Sequence, residues 1–99
     1  MEQVRKPVIL NVDDDDAGRY ATTEVLLREG FEVVEARTGE ETLELVRRNP
    51  DLVLLDLDLP GISGLDVCRR IKTDPETRDI PVVFLSATAT TQDDRIRGL

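Results

Sequence analysis

The sequence contains no histidine, one cysteine and few aromatic residues. A single thiol, Cys68, excludes a disulfide within the chain and any metal site built from several cysteines. Without histidine, a zinc ion would have to be held largely by carboxylates, which is unusual for zinc. The hydrophobic fraction of 39% is rich in Val, Leu and Ile, whereas aromatic residues make up 3%. These proportions suit a small α/β core of aliphatic side chains.

Positive charge is scarce relative to negative charge. Lys and Arg total 13, Asp and Glu total 21, and the net charge is −8. This balance disfavours a nucleic-acid surface, which needs clustered Lys and Arg, and docking on anionic membranes. The chain opens on Met1, Glu2 and Gln3 with no apolar signal region, and no run approaches transmembrane length. We therefore expect a cytoplasmic protein that contacts neither nucleic acid nor membrane.

Short apolar runs alternate with longer stretches of helical pattern. The second of these runs, which contains Glu32 and Glu35, is the most polar and predicts an edge strand. The other three runs are nearly continuous in apolar residues, which is typical of strands covered on both faces. The four runs predict strands at Val8–Val12, Phe31–Ala36, Leu52–Leu55 and Val82–Leu85.

The segments between these strands carry the start and stop signals of helices. The first helix is predicted to begin between Asp15 and Ala17 and to run to Glu29, because Gly30 follows. Tyr20, Val25 and Leu26 are expected to share its buried stripe.

Two further helices open on capping-box patterns, at residues 38–41 and 63–66. The first of them ends at Asn49-Pro50 and the second at Asp74-Pro75, since a residue before proline leaves the helical conformation. Thr90 or Thr91 resembles a fourth N-cap. The residues expected to face inward on these helices are Leu43, Leu45, Val46, Leu65, Val67, Cys68 and Ile71.

The resulting order, β-α-β-α-β-α-β-α, predicts one α/β domain with a parallel sheet and right-handed crossovers. In such sheets ligands bind at the carboxyl ends of the strands, where the strand order reverses. Strand one is followed there by Asp13 and Asp14, strand three by Asp56 and strand four by Ser86.

Three carboxylates at one edge need a countercharge. Two like charges about 4 Å apart repel by roughly 4 kcal/mol at an effective dielectric of about 20. Oxygen ligands without His or Cys suit Mg²⁺ or Mn²⁺. Asp15 and Asp16 complete a run of four aspartates, and helix capping is the simpler interpretation for these two.

Asp56 is the expected reactive residue, because it follows a buried strand that fixes its position. A carboxylate beside a divalent metal can attack phosphorus and form an aspartyl phosphate. The metal would offset charge on the phosphoryl group during in-line transfer. Ser86, at the end of the adjoining strand, could donate a hydrogen bond to a phosphoryl oxygen.

Three segments together resemble the response regulator receiver family. They are VILNVDD at residues 8–14, LVLLDLDLPGISG at residues 52–64 and PVVFLSA at residues 81–87. The resemblance runs from about Pro7 to Leu99, and the joint pattern and spacing are highly specific.

The resemblance implies a flavodoxin-like, doubly wound sheet in the order 2-1-3-4-5, phosphorylated on aspartate by a phosphohistidine donor. Asp13 and Asp14 match the family's acidic pair, and Asp56 matches its phosphoacceptor. Asp58 matches the position whose backbone carbonyl completes the metal shell. Ser86 matches the Ser/Thr that reorients towards the phosphoryl group, and Ala87 the small residue beside it.

The resemblance also implies partners and shows departures. The partners would be a histidine kinase or phosphotransfer protein, and an output domain or downstream protein. The family's phosphate-binding Lys and switch aromatic lie on a fifth strand, before which this sequence ends; neither Lys72 nor Lys6 is placed to substitute. We therefore expect residues 1–99 to form a receiver domain that is incomplete at its C-terminus and prone to homo-association through an uncovered sheet edge.

Two other functions stay open from the sequence. Asp56-Leu57-Asp58 after an apolar strand resembles the nucleophile motif of haloacid-dehalogenase-type phosphohydrolases, in which the second Asp is the acid/base; those enzymes carry it on the first strand. The alternative without phosphorylation is a receiver-like module that works through surface contacts alone.

Overall fold

A computed structural model describes residues 5–85 of the chain. The elements follow the alternating order that the apolar runs predict. They are β1 (Val8–Val12), α1 (Asp16–Arg28), β2 (Glu32–Ala36), α2 (Gly39–Leu45) with a 3-10 turn (Val46–Arg48), β3 (Leu52–Asp56), α3 (Gly64–Thr73) and β4 (Val82–Leu85). Ser86, Ala87 and the predicted fourth helix lie outside the described residues.

The strands form a parallel sheet in the order β2-β1-β3-β4. This confirms the predicted doubly wound α/β fold and the edge position of β2 in the described sheet. The order reverses between β1 and β3, which pair with Val12 opposite Leu55. The carboxyl ends of these two strands therefore lie side by side.

Asp51 fixes the amino ends of β1 and β3. Its carboxylate accepts a hydrogen bond from the Val8 N–H at 2.7 Å, and its own N–H donates to the Val8 carbonyl at 2.8 Å. The Arg5 guanidinium donates to both Asp51 oxygens at 3.2 Å. The Val8 hydrogen bond and Arg5 together hold the pKa of Asp51 below its ordinary value. A register set at this end carries through to the opposite end of the two strands.

The core lies between the sheet and the helices α2 and α3. All of β1 from Ile9 to Val12 is buried, as expected of a strand covered on both faces. Val67 and Ile71 of α3 are buried and Cys68 is half-buried, whereas Leu65 is exposed. The buried apolar cluster comprises Leu10, Val12, Ala36, Val46, Val53, Leu55, Leu59, Val67, Ile71 and Ile80, with Leu43 and Leu45 packed against it.

The predicted apolar stripe of α1 is wrong in two of its three residues. Tyr20 is 66% exposed and Val25 is 53% exposed, while Leu26 is half-buried. The half-buried face of α1 instead contains Arg19, Thr22, Thr23 and Leu26. Tyr20 and Val25 each lie about 100° from this face, because each residue advances the helix by that angle. The reason for a polar inner face is Asn11: its buried amide donates to the Arg19 carbonyl at 3.2 Å and to Thr23 Oγ1 at 3.1 Å.

The strand β4 also departs from expectation, since Val83, Phe84 and Leu85 are exposed rather than covered on both faces. Within residues 5–85, β3 is the strand that flanks it. In the same range, no helix combines the length and apolar character that a membrane crossing requires.

Side-chain caps open each helix where the sequence predicts them. Asp15 Oδ2 accepts from the Gly18 N–H at 2.9 Å, Thr38 Oγ1 from the Glu41 N–H at 3.1 Å and Ser63 Oγ from the Asp66 N–H at 3.2 Å. Gly30 follows α1 with φ at +93°, and Asn49 follows the 3-10 turn with φ at 61°. Both values belong to the left-handed region that glycine and asparagine tolerate.

Gly64 sets how closely α3 approaches the end of β3. A Cβ at this position would collide with the Asp56 carbonyl oxygen and lie 2.8 Å from Leu57 Cα. Both atoms belong to the backbone, so a larger residue would have to displace the strand end that carries Asp56.

We predict that Gly64→Ala lowers the free energy of unfolding by about 2 kcal/mol, within the range for overpacked sites. The gain of about 1 kcal/mol from the better helix propensity of alanine is too small to offset the backbone clash. Urea unfolding would measure the change. Leu65→Ala, on the same helix at a position 58% exposed, is the control and should have little effect. A Gly64→Ala protein as stable as the wild type would contradict this account of the close approach.

Candidate functional site

Three carboxylates meet at the carboxyl edge of the sheet. Asp13 follows Val12 of β1 and Asp56 follows Leu55 of β3, so the pairing of Val12 with Leu55 places them at the same level. Asp13, Asp14 and Asp56 each present a carboxylate oxygen, and these oxygens all lie within 4.8 Å of one another. Asp13 and Asp56 are half-buried and Asp14 is exposed. We call these three residues the acidic cluster.

Asp13 is held at its backbone and at its side chain. Its N–H donates to the Ala36 carbonyl of β2 at 3.1 Å. Its carbonyl accepts from Arg19 Nη1 at 2.8 Å, and its Oδ1 accepts from the Asp15 N–H at 3.0 Å. These contacts come from both flanking elements, so they fix the first carboxylate of the acidic cluster in place.

The other two aspartates of the run have different roles. Asp15 caps α1 through the Gly18 N–H. Asp16 lies in the first turn of α1 and accepts from Arg19 at 2.7 Å and from Arg37 at 3.0 Å. The pairing with Arg19 and Arg37 lowers the pKa of Asp16. The geometry therefore favours Asp13 and Asp14 as the pair that faces Asp56.

Asp56 ends β3 and is steadied by the turn that follows it. The Asp58 N–H donates to Asp56 Oδ1 at 3.0 Å. The Asp58 carboxylate is not among the three grouped side chains, and a role for the Asp58 carbonyl stays a prediction. Gly64 packs on the Asp56 carbonyl, and its N–H donates to the Leu57 carbonyl at 3.2 Å. The backbone on both sides of Asp56 is thus fixed.

Burial and like charge both act on Asp56. Removal of the carboxyl from water raises its pKa, and the neighbouring Asp13 charge raises it further. The hydrogen bond from the Asp58 N–H lowers the pKa; its effect is smaller than that of burial but larger than that of the Asp13 charge. A cation nearby would therefore favour the ionised form of Asp56.

The donor set fits Mg²⁺ or Mn²⁺. The acidic cluster offers hard oxygen donors, and the sequence contains no histidine to favour zinc. A cation among these carboxylates would relieve the repulsion between Asp13 and Asp56 that raises the Asp56 pKa. The fit rests on both the donor chemistry and this electrostatic demand.

The remaining predicted positions lie away from the cluster or beyond the described chain. Ser86 falls outside residues 5–85, so its orientation is not described. Lys72 lies near the end of α3 and donates from Nζ to the carbonyl oxygens of Arg78 at 3.1 Å and Ile80 at 2.7 Å. It serves a loop at the amino end of β4, consistent with the expectation that it does not substitute for a phosphate-binding lysine.

Two residues next to the cluster were missed by the sequence interpretation. Arg19 contacts the Asp13 carbonyl, and a Cβ on Gly18 would lie 2.9 Å from Asp13 Oδ2. A glycine in the first turns of a helix has poor propensity and is a signal of close approach. Arg19 carries no comparable signal, since an arginine on a helix is ordinarily solvated.

A family model described as the response regulator receiver domain matches residues 9–99. The transcriptional regulatory protein AfsQ1 of Streptomyces coelicolor is 45% identical over 82 residues, which cover 82% of this chain and 35% of that protein. The chain spans between 20% and 41% of the length of AfsQ1 and of two further curated relatives, PhoB of Rhizobium meliloti and PleD of Caulobacter vibrioides.

Solved structures show the same fold. The N-terminal domain of a response regulator receiver protein from Methanoculleus marisnigri JR1 superposes with a TM-score of 0.75 at 31% identity, covering 93% of this chain and 94% of that one. The receiver domain of the sensor histidine kinase PA1611 from Pseudomonas aeruginosa PAO1 gives 0.81 at 25% identity, covering 92% and 75%. That structure holds a magnesium ion in its active site cleft.

We predict that Asp56→Asn stabilises the metal-free protein at neutral pH by about 1 kcal/mol, because the amide avoids both the burial of a charge and the repulsion from Asp13. For comparison, two like charges about 4 Å apart repel by roughly 4 kcal/mol at an effective dielectric of about 20. The fold favours protonated Asp56, so wild-type stability falls as pH rises through the raised pKa. The neutral amide lacks this loss and keeps an Oδ1 for the Asp58 N–H. The advantage of the variant should therefore grow as pH rises above the ordinary aspartate pKa of about 4.

Urea unfolding at several pH values in the presence of a chelator would measure this difference. Asp79→Asn removes an exposed carboxylate in the loop before β4 and serves as the control. An equal gain in the control, or a gain that shrinks towards neutral pH, would contradict the unfavourable burial and repulsion of the Asp56 charge.

Proposed function

The chain belongs to the response regulator receiver family, and from this we propose that Asp56 accepts a phosphoryl group from a phosphohistidine while Asp13, Asp14 and Asp56 hold Mg²⁺. The observation that supports the proposal most strongly is the convergence of three carboxylate oxygens within 4.8 Å at the carboxyl edge of the sheet. This edge, where the strand order reverses, is the ligand-binding edge of doubly wound folds.

In the proposed reaction, a carboxylate oxygen of Asp56 attacks the phosphorus of the donor. An O–P bond forms and the P–N bond to the histidine breaks, with the electron pair going to the imidazole, which takes a proton from solvent. The Asp58 N–H binds Asp56 Oδ1, so attack is assigned to the second oxygen. The product is an acyl phosphate on the side chain of Asp56.

The surroundings of Asp56 match this role in two ways. Its backbone is fixed by β3 and by the contact with Gly64, so the nucleophile is held in position before the donor arrives. Its raised pKa disfavours the ionised nucleophile in the metal-free site. Bound Mg²⁺ would supply charge compensation, both for the carboxylates and for the phosphoryl oxygens.

The phosphoryl group carries a charge of about −1.5 to −2 but replaces the −1 charge of the carboxylate, so phosphorylation makes this edge more negative by about one charge or less. We expect Ser86, at the end of β4, to donate to the phosphoryl group, with the chain from Ala87 onward responding. In this scheme the donor is a histidine kinase or phosphotransfer protein in the cytoplasm. The response is passed to an output domain or a downstream protein, and the Asp58 carbonyl serves as an additional metal ligand.

The two alternatives make different demands on the same residues. A phosphohydrolase of the haloacid dehalogenase type would use Asp58 as acid/base, but the Asp58 side chain stands outside the acidic cluster. A module that acts by surface contacts alone would have no use for the acidic cluster.

We predict that incubation with Mg²⁺ and a small phosphoryl donor, such as acetyl phosphate, adds one phosphoryl group to the wild type. Asp56→Asn should abolish the addition, and Asp58→Asn should retain it, because the backbone of residue 58 is unchanged. Intact-mass spectrometry would detect the adduct, and a chelator should suppress it.

An unmodified wild type with no metal-dependent response would support the surface-contact module instead. Multiple turnover of a phosphomonoester that disappears in Asp58→Ala would support the phosphohydrolase.

A further inference from the structure

The first turns of α1 contain an arginine whose side chain is largely buried beside the acidic cluster. The Arg19 side chain is 12% exposed, although it lies on α1, which has no fully buried residue. Burying a guanidinium is costly unless its N–H groups are all paired. The groups that accept hydrogen bonds from Arg19 therefore indicate the role of this side chain.

The guanidinium divides its donors between one carbonyl and two carboxylates outside the cluster. Nη1 donates to the Asp13 carbonyl at 2.8 Å, Nη2 to Asp16 Oδ1 at 2.7 Å and Nε to Glu35 Oε1 at 3.4 Å. Asp16 and Glu35 supply the countercharge. The carboxylates of Asp13 and Asp14 are thus left available to a cation.

The Asp13 carbonyl is an effective point of attachment. The peptide group that joins Asp13 to Asp14 is planar, so its oxygen shares one plane with the Cα atoms of both residues. A charged donor on that oxygen restrains the directions in which both side chains leave the backbone. Without this donor, we expect repulsion between the carboxylates to favour a rotation of this plane that moves them apart.

Arg19 is itself attached to the strand that it serves. Its backbone carbonyl accepts from the buried amide of Asn11 at 3.2 Å, two residues before Asp13 on the chain. The same amide donates to Thr23 Oγ1, which in turn donates to Glu35 Oε2 at 2.5 Å. Arg19 thus joins β1, α1 and β2 at the level of the acidic cluster.

We propose that Arg19 is a positioning residue for divalent-metal binding, which it supports by holding the Asp13–Asp14 peptide plane rather than by its charge. This inference rests on the metal site of the proposed function. Charge and position make opposite predictions here. Loss of a nearby positive charge should tighten the binding of a cation, whereas loss of the carbonyl contact should weaken it.

The test is a Mn²⁺ titration of the 99-residue protein, followed by the electron paramagnetic resonance signal of free Mn²⁺, with Mg²⁺ as competitor. We expect Arg19→Gln to weaken Mn²⁺ binding about tenfold, the lower end of the range for residues that orient metal ligands. Arg19→Lys keeps the charge, but an ammonium group cannot reproduce the three hydrogen bonds of the guanidinium. This variant should therefore also bind Mn²⁺ more weakly than the wild type.

Arg37→Gln is the matched control. Arg37 donates to the same Asp16 oxygen at 3.0 Å, and no hydrogen bond joins its side chain to Asp13. It should bind Mn²⁺ as tightly as wild type or more tightly. All variants are compared at a temperature where cooperative thermal unfolding shows them folded. If Arg19→Gln does not fold, Arg19→Lys carries the comparison.

The outcomes separate this inference from the function on which it rests. The metal site itself would be overturned if the wild-type protein bound no Mn²⁺, or if the Asp56→Asn variant bound Mn²⁺ as tightly as the wild type. Wild-type binding that Asp13→Asn abolishes but both Arg19 variants retain would overturn the positioning role alone. Weaker binding in Arg37→Gln equal to that in Arg19→Gln would assign the effect to the surrounding ion pairs and also overturn it.

Discussion

The pairing of β1 with β3 is the constraint on which the rest of the site depends. Asp51 holds the amino ends of both strands through Val8, and the register that results places Val12 opposite Leu55. Asp13 and Asp56 are the next residues, so they meet although 43 positions separate them. A slip of one residue would turn one of these strands over and move its carboxylate to the opposite face of the sheet.

This convergence places like charges close together, and the surrounding structure accommodates them without neutralising them. The Asp58 N–H and the Asp15 N–H bind single oxygens of Asp56 and Asp13. Arg19 binds the Asp13 backbone and takes its countercharge from Asp16 and Glu35. Burial, together with the neighbouring Asp13 charge, raises the pKa of Asp56. A site whose carboxylates are not neutralised by the protein is suited to a cation, because the cation supplies the missing positive charge.

Prediction from the sequence succeeded where the signal was local or periodic. It failed where a side chain contacts a residue that is distant in the sequence. Helix caps at Asp15, Thr38 and Ser63 depend on residues three positions away, so the pattern was sufficient. The prediction for the inner face of α1 was wrong because it rested on hydrophobicity alone. Residues on that face accept hydrogen bonds from the buried amide of Asn11. These partners become evident only when α1 is packed against β1.

The sequence by itself determined the alternation of strands and helices, the strand ends that carry Asp13 and Asp56, and the kind of chemistry that oxygen ligands without histidine allow. The sequence also favoured Asp13 and Asp14 as the pair that joins Asp56, and the tertiary structure agrees, because Asp15 caps α1 and Asp16 is paired with two arginines. Only the tertiary structure decided the contacts of Arg19 and the direction of the Asp56 pKa shift. The physical reason is the same in each case: hydrogen bonds and charge interactions act over a few ångströms, and only the folded chain brings these groups within that distance.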